Sequence, residues 1–239
     1  MVYEMNGNVR YSEVDAKGQM TWLALLSYFQ DCSVFQSEQL DMGVQYLAEH
    51  HMAWVLSSWQ VRVDEMPYLA DEIHVQTWAY DFKGFYGYRN FALNNAEGKR
   101  LAYANSIWVL VDTESGRPLR VPQDMGDAYG MEEPLELSAT ERKICVPENY
   151  EEKEPVRVQK YFIDTNYHMN NEKYVMIAQE FVPEHFQIEE IRVEYKKAAV
   201  LDDVLYPRVT IEDHEVVTVL ADENGKPYAV VKFLGRKEG

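Results

Sequence analysis

WLALLSYFQDCSVF, residues 22–35, is apolar on nearly every side when it is drawn as an α-helix. Thr21 stands before it as a candidate N-cap and Gly43 after it as a candidate stop, so we predict a helix over residues 22–42. A helix without a polar face is normally enclosed by other elements. Because the rest of the chain is rich in strand patterns, we expect the enclosing element to be a curled sheet.

Strand patterns fill the rest of the first half. After residue 51 the apolar residues recur at every second position, which is typical of strands with one buried face. The turn sequence NAEGK, residues 95–99, joins two of the predicted strands. The antiparallel strands predicted here cover residues 53–63, 73–79, 85–93 and 101–111.

A stretch rich in Pro, Gly and acidic residues separates the two halves of the chain. We therefore predict an N-terminal repeat over residues 1–122, an acidic linker at the surface over residues 123–154 and a C-terminal repeat over residues 155–239. Regular patterns then resume in the order seen before. The elements predicted in the second half are a strand at 156–162, a helix at 171–181 and strands at 188–198, 204–211, 215–221 and 228–234.

The two halves also match each other in residues. VDAKGQM before the first helix aligns with IDTNYHM before the second, and two further pairs follow in the same order. A duplication explains three matches in one order better than chance does. The aligned segments are residues 14–20 with 163–169, 70–73 with 201–204, and 97–102 with 224–229.

Polar residues cluster directly before the second predicted helix, in the sequence DTNYHMNN of residues 164–171. In an extended segment alternate side chains point the same way, so we expect four of them to converge on one side of the backbone. The alternative is purely structural, because Asp and Asn are common helix caps and a His beside them can simply bond the backbone. The four residues are Asp164, Asn166, His168 and Asn170.

Two sequence patterns resemble metal sites, but neither fits one. Oxygen ligands at alternate positions resemble a calcium loop, but that loop needs Gly at its sixth position and Glu at its twelfth. This chain has Met169 and Val175 there. The pair His50 and His51 fits a solvated helix end better than a metal site, because adjacent side chains diverge on any regular element. We predict no metal and no cofactor.

Composition argues against several classes of function. A net charge of −17 disfavours a nucleic-acid partner, because binding phosphates needs an excess of Lys and Arg. Cys32 and Cys145 lie far apart, which favours a reducing compartment over a disulfide framework. We find no signal-peptide pattern and no apolar run of membrane-spanning length, so a cytoplasmic location is expected.

Together these features resemble the acyl-ACP thioesterases, which are double hotdog proteins, and among them a bacterial member. The resemblance rests on the duplicated helix and sheet pattern, on DTNYHMNNEKY at residues 164–174 and on SIWVLVD at residues 106–112. It implies an α+β fold of two tandem hotdog repeats, each a long helix wrapped by a curved antiparallel sheet. It also implies hydrolysis of fatty acyl-acyl carrier protein to free fatty acid and holo-ACP, in fatty acid biosynthesis.

The resemblance carries Asp164, Asn166 and His168 over as the catalytic group. Thioester hydrolysis needs an activated water or a nucleophile, together with donors for the oxyanion. His168 is the natural proton acceptor, while Asp164 could activate water or attack the carbonyl itself. We expect the Asn166 amide and the N–H groups at the start of the helix, at Asn170 and Asn171, to hold the oxyanion.

The first repeat provides an internal control for this assignment. It keeps an Asp, Asp15, but has Lys17 and Gln19 at the positions aligned with the Asn and His of the second repeat. We therefore expect one active site per chain, in the second repeat. The first repeat is expected to supply structure and the acyl pocket, and its candidate substrate-binding residues are Trp22, Leu26 and Phe29.

The chain departs from the family in one respect. Plant members carry a Glu-Cys pair shortly after a Glu-Tyr-basic-basic run, and here that run begins at Glu194 and leads into Ala198 and Ala199. A Cys-His-Asn arrangement is therefore not expected, and Glu194 would lie roughly 13 Å from Ala198 along a strand. The two alanines leave open a non-hydrolytic acyl-thioester binding protein, and an acyl-CoA thioesterase is a third reading.

The partner that the resemblance implies is acyl carrier protein carrying a fatty acyl chain. An acidic carrier would avoid most of this negative surface and use local positive charge in the second repeat, although solvated faces explain the same residues. The sequence leaves a homodimer open. The candidate docking residues are Arg157, Lys160, Lys173, Arg192, Lys196 and Lys197.

Overall fold

The computed structural model describes residues 1–137 and 143–237. The chain forms two compact units. The first holds Met1–Ser57 and the described residues from Val61 to residue 137, and the second holds Ser58–Gln60 and the described residues from 143 onward. Within these described residues, no helix is both long enough and apolar enough to cross a membrane.

The first unit combines helices with an antiparallel sheet. Its helices are α1 (Trp22–Gln39), α2 (Val44–Glu49) and α3 (Gln123–Tyr129), and its strands are β1 (Tyr3–Asn8), β2 (Met52–Val63), β3 (Glu72–Lys83), β4 (Tyr86–Asn95) and β5 (Arg100–Asp112). Strands β1, β3, β4 and β5 lie side by side in that order and are antiparallel, and β2 follows β5.

Helix α1 packs against this sheet through its apolar side chains. Phe29 is fully buried, and its ring centroid lies 5.2 Å from that of Phe91 on β4. The Cys32 thiol donates a hydrogen bond to the backbone carbonyl of Val75 on β3, at 3.4 Å. None of residues 22–30 is exposed, but Asp31 and Phe35 are. The predicted enclosure of residues 22–35 is therefore confirmed for the first nine residues and wrong at these two.

The start of α1 agrees with the prediction and its end does not. Thr21 caps the helix, because its hydroxyl oxygen accepts a hydrogen bond from the Ala24 N–H at 3.2 Å. The helix ends at Gln39, and the chain then turns at Asp41, which has a φ of 55°. Gly43 therefore precedes α2 as its N-cap residue and does not end α1.

The strand β1 was not among the predicted elements. Its sequence, YEMNGN, has too few apolar residues to produce an alternating pattern. Its position is set by pairing with β3, where Tyr3 lies opposite Thr77 and Asn8 opposite Glu72. Backbone pairing of this kind leaves little trace in a sequence.

Helix α3 lies in the stretch that was predicted as a surface linker. Met125 and Tyr129 are buried, and the Tyr129 hydroxyl shares a hydrogen bond with the Ser37 hydroxyl at 2.8 Å. The surface prediction is therefore wrong for this helix, because two apolar side chains four residues apart are enough to bury one face. The division into residues 1–122, 123–154 and 155–239 stays a prediction.

The second unit also combines a helix with an antiparallel sheet. Its elements are β6 (Glu151–Glu152), β7 (Val156–Arg157), α4 (Asn171–Gln179), β8 (Phe186–Tyr195), β9 (Val204–Ile211), β10 (Glu215–Ala221) and β11 (Pro227–Lys237). Strands β8, β11, β10 and β9 lie side by side in that order and are antiparallel. The short strands β6 and β7 both pair with β9.

Most elements of this unit lie where they were predicted. Strands β9 and β10 have the predicted bounds, and α4 begins at the predicted Asn171 but ends two residues early. The strand predicted at 156–162 is wrong beyond β7, because the chain turns there into one 3-10 turn, Lys160–Phe162. This turn buries Phe162 in the same apolar cluster as Met169 and Tyr174.

The predicted duplication is confirmed by the backbone hydrogen bonds of the two units, but the predicted match of residues 70–73 with 201–204 is wrong by one position, because Asp71 corresponds to Asp203. Each unit repeats two contacts between the segment before its helix and the loop before its later strand, and one contact within that segment. The matched N–H to carbonyl pairs are Val9 to Asp71 at 3.0 Å and Val158 to Asp203 at 2.8 Å, Met20 to Pro67 and Met169 to Ala199, both at 2.8 Å, and Thr21 to Glu13 at 2.9 Å and Asn170 to Phe162 at 2.8 Å.

Candidate active site

The polar cluster of the second unit forms a closed five-residue turn. Ile163 and Met169 make an antiparallel bridge at its base, and inside it the Asp164 N–H donates to the His168 carbonyl at 2.8 Å. The Asp164 side chain closes the turn from within. Its Oδ1 accepts hydrogen bonds from the N–H of Asn166 at 2.8 Å and of His168 at 3.3 Å.

The predicted extended conformation of this segment is therefore wrong, and the convergence of its alternate side chains stays a prediction. The Asp164 carboxylate is half-buried and bonds the backbone of its own loop, whereas Asn166 and His168 are exposed. The physical reason is that an Asp side chain readily accepts from amides two to four residues ahead, which favours a turn over an extended strand.

The first unit contains the same turn with different side chains. Asp15 Oδ1 accepts from the N–H of Lys17 at 2.8 Å and of Gln19 at 3.0 Å, and the Asp15 N–H donates to the Gln19 carbonyl at 2.8 Å. The Asp is therefore architectural in both copies. What distinguishes the second copy is the pair Asn166 and His168.

The two copies also differ in what these side chains contact. In the first unit the Gln19 amide donates to the Met66 carbonyl at 3.4 Å. In the second, the Asn166 carboxamide and the His168 imidazole have no hydrogen-bond partner among the described residues. Exposed and unpaired polar groups of this kind are available to a substrate.

The turn leads directly into the N-terminus of α4. Asn170 is the N-cap, because its Oδ1 accepts from the Glu172 N–H at 3.1 Å. The Asn170 N–H donates to the Phe162 carbonyl at 2.8 Å, so the expectation that this N–H holds the oxyanion is wrong. The Lys173 N–H donates to the Asn170 carbonyl at 3.0 Å. Within the described residues the Asn171 N–H has no backbone or side-chain acceptor, so this amide remains available at the positive end of the helix dipole.

Two tyrosines to which the sequence analysis gave no role support the turn, the buried Tyr174 and the half-buried Tyr195. The Tyr174 hydroxyl oxygen accepts from the Ala199 N–H at 2.8 Å, and the Tyr195 hydroxyl donates to the Asn171 carbonyl at 2.9 Å. Burial raises the pKa of Tyr174 to about 12, and the nearby negative charge of Asp164 adds to the shift. Burial also raises the pKa of Tyr195 well above its usual value, so both phenols stay protonated at neutral pH.

Two family models match the chain in tandem. The model of the acyl-ACP thioesterase N-terminal domain matches residues 1–129, and the model of the acyl-ACP thioesterase C-terminal domain matches residues 146–228. The chain belongs to the acyl-ACP thioesterase family. The C-terminal match includes the turn and α4.

Curated relatives in this family are distant in sequence. Palmitoyl-acyl carrier protein thioesterase of Gossypium hirsutum is 22% identical over 231 residues, which is 89% of this chain and 56% of that protein. Oleoyl-acyl carrier protein thioesterase 2 of Arabidopsis thaliana is 24% identical over 197 residues, which is 73% of this chain and 52% of that protein. The chain spans about half the length of the curated relatives it matches.

Solved structures of acyl-ACP thioesterases share the fold. That from Bacteroides thetaiotaomicron has a TM-score of 0.88 at 22% identity and covers 98% of each chain. The 12:0-ACP thioesterase from Umbellularia californica has a TM-score of 0.87 at 20% identity, covering 99% of this chain and 98% of that one. The α+β fold of two tandem hotdog repeats is thereby confirmed.

Ala199 stands at the position where plant acyl-ACP thioesterases are expected to carry Cys, and here its backbone holds neighbouring segments together. Ala199 is buried, its N–H donates to Tyr174, and its carbonyl accepts from the Met169 N–H at 2.8 Å. Ala198 is exposed. The upstream Glu194 is 8% exposed and engaged twice, with the Lys196 ammonium at 2.7 Å and the Ile144 N–H at 3.1 Å.

Neither cysteine replaces the absent family residue. Both Cys32 and Cys145 are free thiols. Cys32 is buried in the first unit, and burial raises its pKa to about 12, which disfavours the thiolate needed of a nucleophile. Cys145 is exposed in the segment before β6.

The predicted acyl-pocket residues all lie in the packed face of α1. Trp22 is 8% exposed, Leu26 is 3% exposed and Phe29 is fully buried. Burial of this kind fits core packing and fits a lining role, because both need apolar side chains away from water. Their role in holding an acyl chain stays a prediction.

Three of the six predicted basic docking residues pair with a carboxylate. Arg157 pairs with Asp202 at 3.0 Å, and Lys173 pairs with Glu172 at 2.6 Å. Lys196 pairs with the nearly buried Glu194, as described above, and Lys197 lies 4.6 Å from the centre of the Tyr228 ring. Local positive charge is therefore smaller than the count of Lys and Arg indicates. Lys160, exposed at the 3-10 turn, forms no ion pair with the described residues.

Metal-ligating residues are not clustered in the described part of the chain. Among residues 1–137 and 143–237, no group of three or more His, Cys, Asp or Glu side chains is placed to hold a metal ion. His50, one of the adjacent pair, contacts the Tyr46 carbonyl through Nδ1 at 2.8 Å at the end of α2. Its partner His51 lies 3.4 Å from the Glu114 carboxylate.

Proposed function

We propose that this chain hydrolyses the thioester of fatty acyl-acyl carrier protein, releasing free fatty acid and holo-ACP. One observation carries the proposal: the same turn precedes the main helix of each unit, and of these two copies only the second presents an unpaired carboxamide and imidazole, Asn166 and His168, beside a helix N-terminus. Membership of the acyl-ACP thioesterase family supports the choice of substrate.

We assign the steps of the reaction to separate groups of the turn. His168 acts as the general base that takes a proton from water as the water attacks the thioester carbonyl. The C–S bond then breaks, and the protonated imidazole returns the proton to the leaving thiolate. The Asn166 carboxamide and the Asn171 N–H stabilise the oxyanion, because they are donors beside the positive end of α4.

Asp164 acts mainly through the shape of the turn. Its Oδ1 accepts the N–H groups of Asn166 and His168, which fixes the backbone that carries both reacting side chains. Its Oδ2 takes neither of these bonds and remains the oxygen able to orient water.

Alanine substitution of the base tests the assignment. We expect His168→Ala to lower kcat for acyl-ACP about a hundredfold or more, since positioned proton transfer contributes at this scale. Lys17→Ala, in the matching turn of the first unit, is the control and should leave turnover unchanged. The readout is free thiol released from purified acyl-ACP. Equal activity of the His168 variant and the parent protein would contradict the proposal.

One observation favours the alternative of a non-hydrolytic binder: the buried backbone of Ala199 stands where a family nucleophile is expected. Parallel assays with acyl-ACP and acyl-CoA separate the candidates. The proposal predicts thiol release from acyl-ACP. Binding without thiol release would identify a binding protein, and release from acyl-CoA alone would identify an acyl-CoA thioesterase. A cytoplasmic location belongs to the same proposal and remains a prediction from the sequence.

A further inference from the structure

Tyr167, between the two proposed reacting residues, has an unusual backbone conformation. Its φ is 60°, in the left-handed region that disfavours residues with a bulky side chain. Among the described residues the other non-glycine positions with positive φ are Asp41, His51, Ala70 and Asp202. Tyr167 is the largest of these side chains. It therefore sits in the turn at a cost in conformational energy.

The same turn elsewhere in the chain uses glycine at this position. Gly18, Gly98 and Gly225 occupy it with φ of 78°, 78° and 79°. In each case the glycine N–H donates to the carbonyl of the Asp or Asn that opens the turn, at 2.9 to 3.0 Å. Tyr167 makes the equivalent bond to the Asp164 carbonyl at 3.1 Å. Glycine is thus the residue that this turn ordinarily takes.

Packing within the described chain does not compensate for the strain. The Tyr167 residue is 83% exposed. The same segment exposes a second aromatic residue, Tyr161, at 74%. The first repeat also exposes a tyrosine there, Tyr11, at 84%, but it has Gly18 where the second repeat has Tyr167. Exposed tyrosines are favoured at recognition surfaces, because they offer a large contact area with little loss of side-chain freedom.

The chemistry of the substrate restricts what an exposed ring beside His168 can touch. The acyl chain is apolar and must be buried to bind, so an exposed ring does not hold it. The thiol side of the thioester is the phosphopantetheine arm, whose amides and short methylene segments extend away from the reacting carbonyl. A flat tyrosine ring suits such a chain, since it offers an apolar face and a hydroxyl donor.

We propose that the Tyr167 ring is a specificity-determining contact for the phosphopantetheine arm of the thioester substrate, retained at the strained position of the turn for that purpose. This inference rests on the hydrolysis proposed above. It assigns Tyr167 to binding and leaves proton transfer and oxyanion stabilisation to its neighbours.

Three variants at position 167 distinguish the effect of the ring from the effect of the backbone conformation. Tyr167→Phe keeps the ring, whereas Tyr167→Asn and Tyr167→Gly remove it and suit positive φ. Gly18→Tyr is the matched control, because it places the same residue in the same turn of the first unit, where an added Cβ meets nothing within 4 Å. Gly18→Tyr should lower Tm and leave kcat/KM unchanged.

Three substrates with the same medium-length acyl group distinguish the parts of the thiol side. Acyl-ACP has the carrier and the arm, acyl-pantetheine has most of the arm alone, and the S-ethyl thioester has neither. We expect the Asn and Gly variants to be at least as stable as the parent protein, because both relieve the strain at this position. Their kcat/KM should fall at least tenfold on acyl-ACP and acyl-pantetheine, mainly through KM, and less than twofold on the S-ethyl thioester. Tyr167→Phe should stay within threefold of the parent on all three.

Each other outcome overturns the inference. Unchanged kcat/KM in the Asn and Gly variants would show that Tyr167 is merely tolerated. An equal loss on all three substrates would assign the effect to the turn itself, and a loss on acyl-ACP alone would place the contact on the carrier surface. If the parent protein hydrolyses none of the three thioesters, the proposed function fails first, and that result is distinct from a failure of the Tyr167 contact.

Discussion

The turns that begin at Asp15 and Asp164 share a backbone and differ in side chains. In both, one carboxylate oxygen accepts two amide N–H groups, and the segment then enters a helix through a capping residue, Thr21 or Asn170. Only the second copy has Asn166 and His168. The comparison teaches that the Asp shared by the two turns is part of the architecture of both. The proposed chemistry depends on the Asn166 and His168 side chains, which only the second turn has.

Substituting the Asp of each turn should give the largest difference in activity between the two turns. Asp15→Ala and Asp164→Ala each lose two hydrogen bonds to backbone amides, so each should lower the free energy of unfolding by about 1 to 2 kcal/mol. Only Asp164→Ala should also lower kcat, by about a hundredfold, because its turn carries the reacting groups. Chemical denaturation and thiol release measure the two effects. A similar kcat loss in both variants would contradict a single site in the second repeat.

Substituting Tyr174, which supports the second turn, should have a smaller effect. Tyr174→Phe removes the acceptor of the Ala199 N–H and should cost about 1 to 2 kcal/mol at pH 7. The Tyr174→Phe variant should also lose less stability than the parent protein when the pH is raised. Because the folded pKa of Tyr174 is raised to about 12 from 10, its contribution is present below pH 10 and is lost as the pH rises toward 12.

Urea unfolding of Tyr174→Phe and the parent protein at pH 8 and pH 11 measures this difference. The gap between the two proteins should narrow at the higher pH. A gap that stays constant would show that ionisation of Tyr174 is not coupled to folding.

Charge near the second turn should have the smallest effect. Lys160 is exposed beside the turn, and Lys17 is exposed in the first turn. We expect Lys160→Glu to lower kcat/KM for acyl-ACP about three- to tenfold at low salt, because an acidic carrier is then repelled. Lys17→Glu serves as the matched control and should have no effect. A loss that persists with a small thioester, or at high salt, would argue against carrier docking at Lys160.

The elements that the sequence predicted well are those with strong local signals. Helices α1 and α4 begin where predicted, because Thr21 and Asn170 are capping residues ahead of apolar runs. Strands β9 and β10 contain runs of β-branched residues, 209–211 and 216–219, and match in both bounds. The duplication was visible because aligned Asp residues precede both helices.

The parts that the sequence did not predict depend on contacts made through space. Alternate polar residues fit an extended segment as well as a turn. The turn is recognised only from the hydrogen bonds that backbone N–H groups donate to the Asp164 carboxylate. The role of Tyr174 depends on the Ala199 N–H, which lies 25 positions away in the chain. The strain at Tyr167 is a backbone angle and has no signature in composition.

The measurement that tests the central claim most directly exchanges the side chains of the two turns. The double variant Asn166→Lys with His168→Gln gives the second turn the side chains of the first, and its backbone hydrogen bonds should be unchanged. We predict a Tm within about 3 °C of the parent protein and a loss in kcat/KM for acyl-ACP of about a hundredfold or more. Retention of more than a tenth of the parent activity would contradict the account.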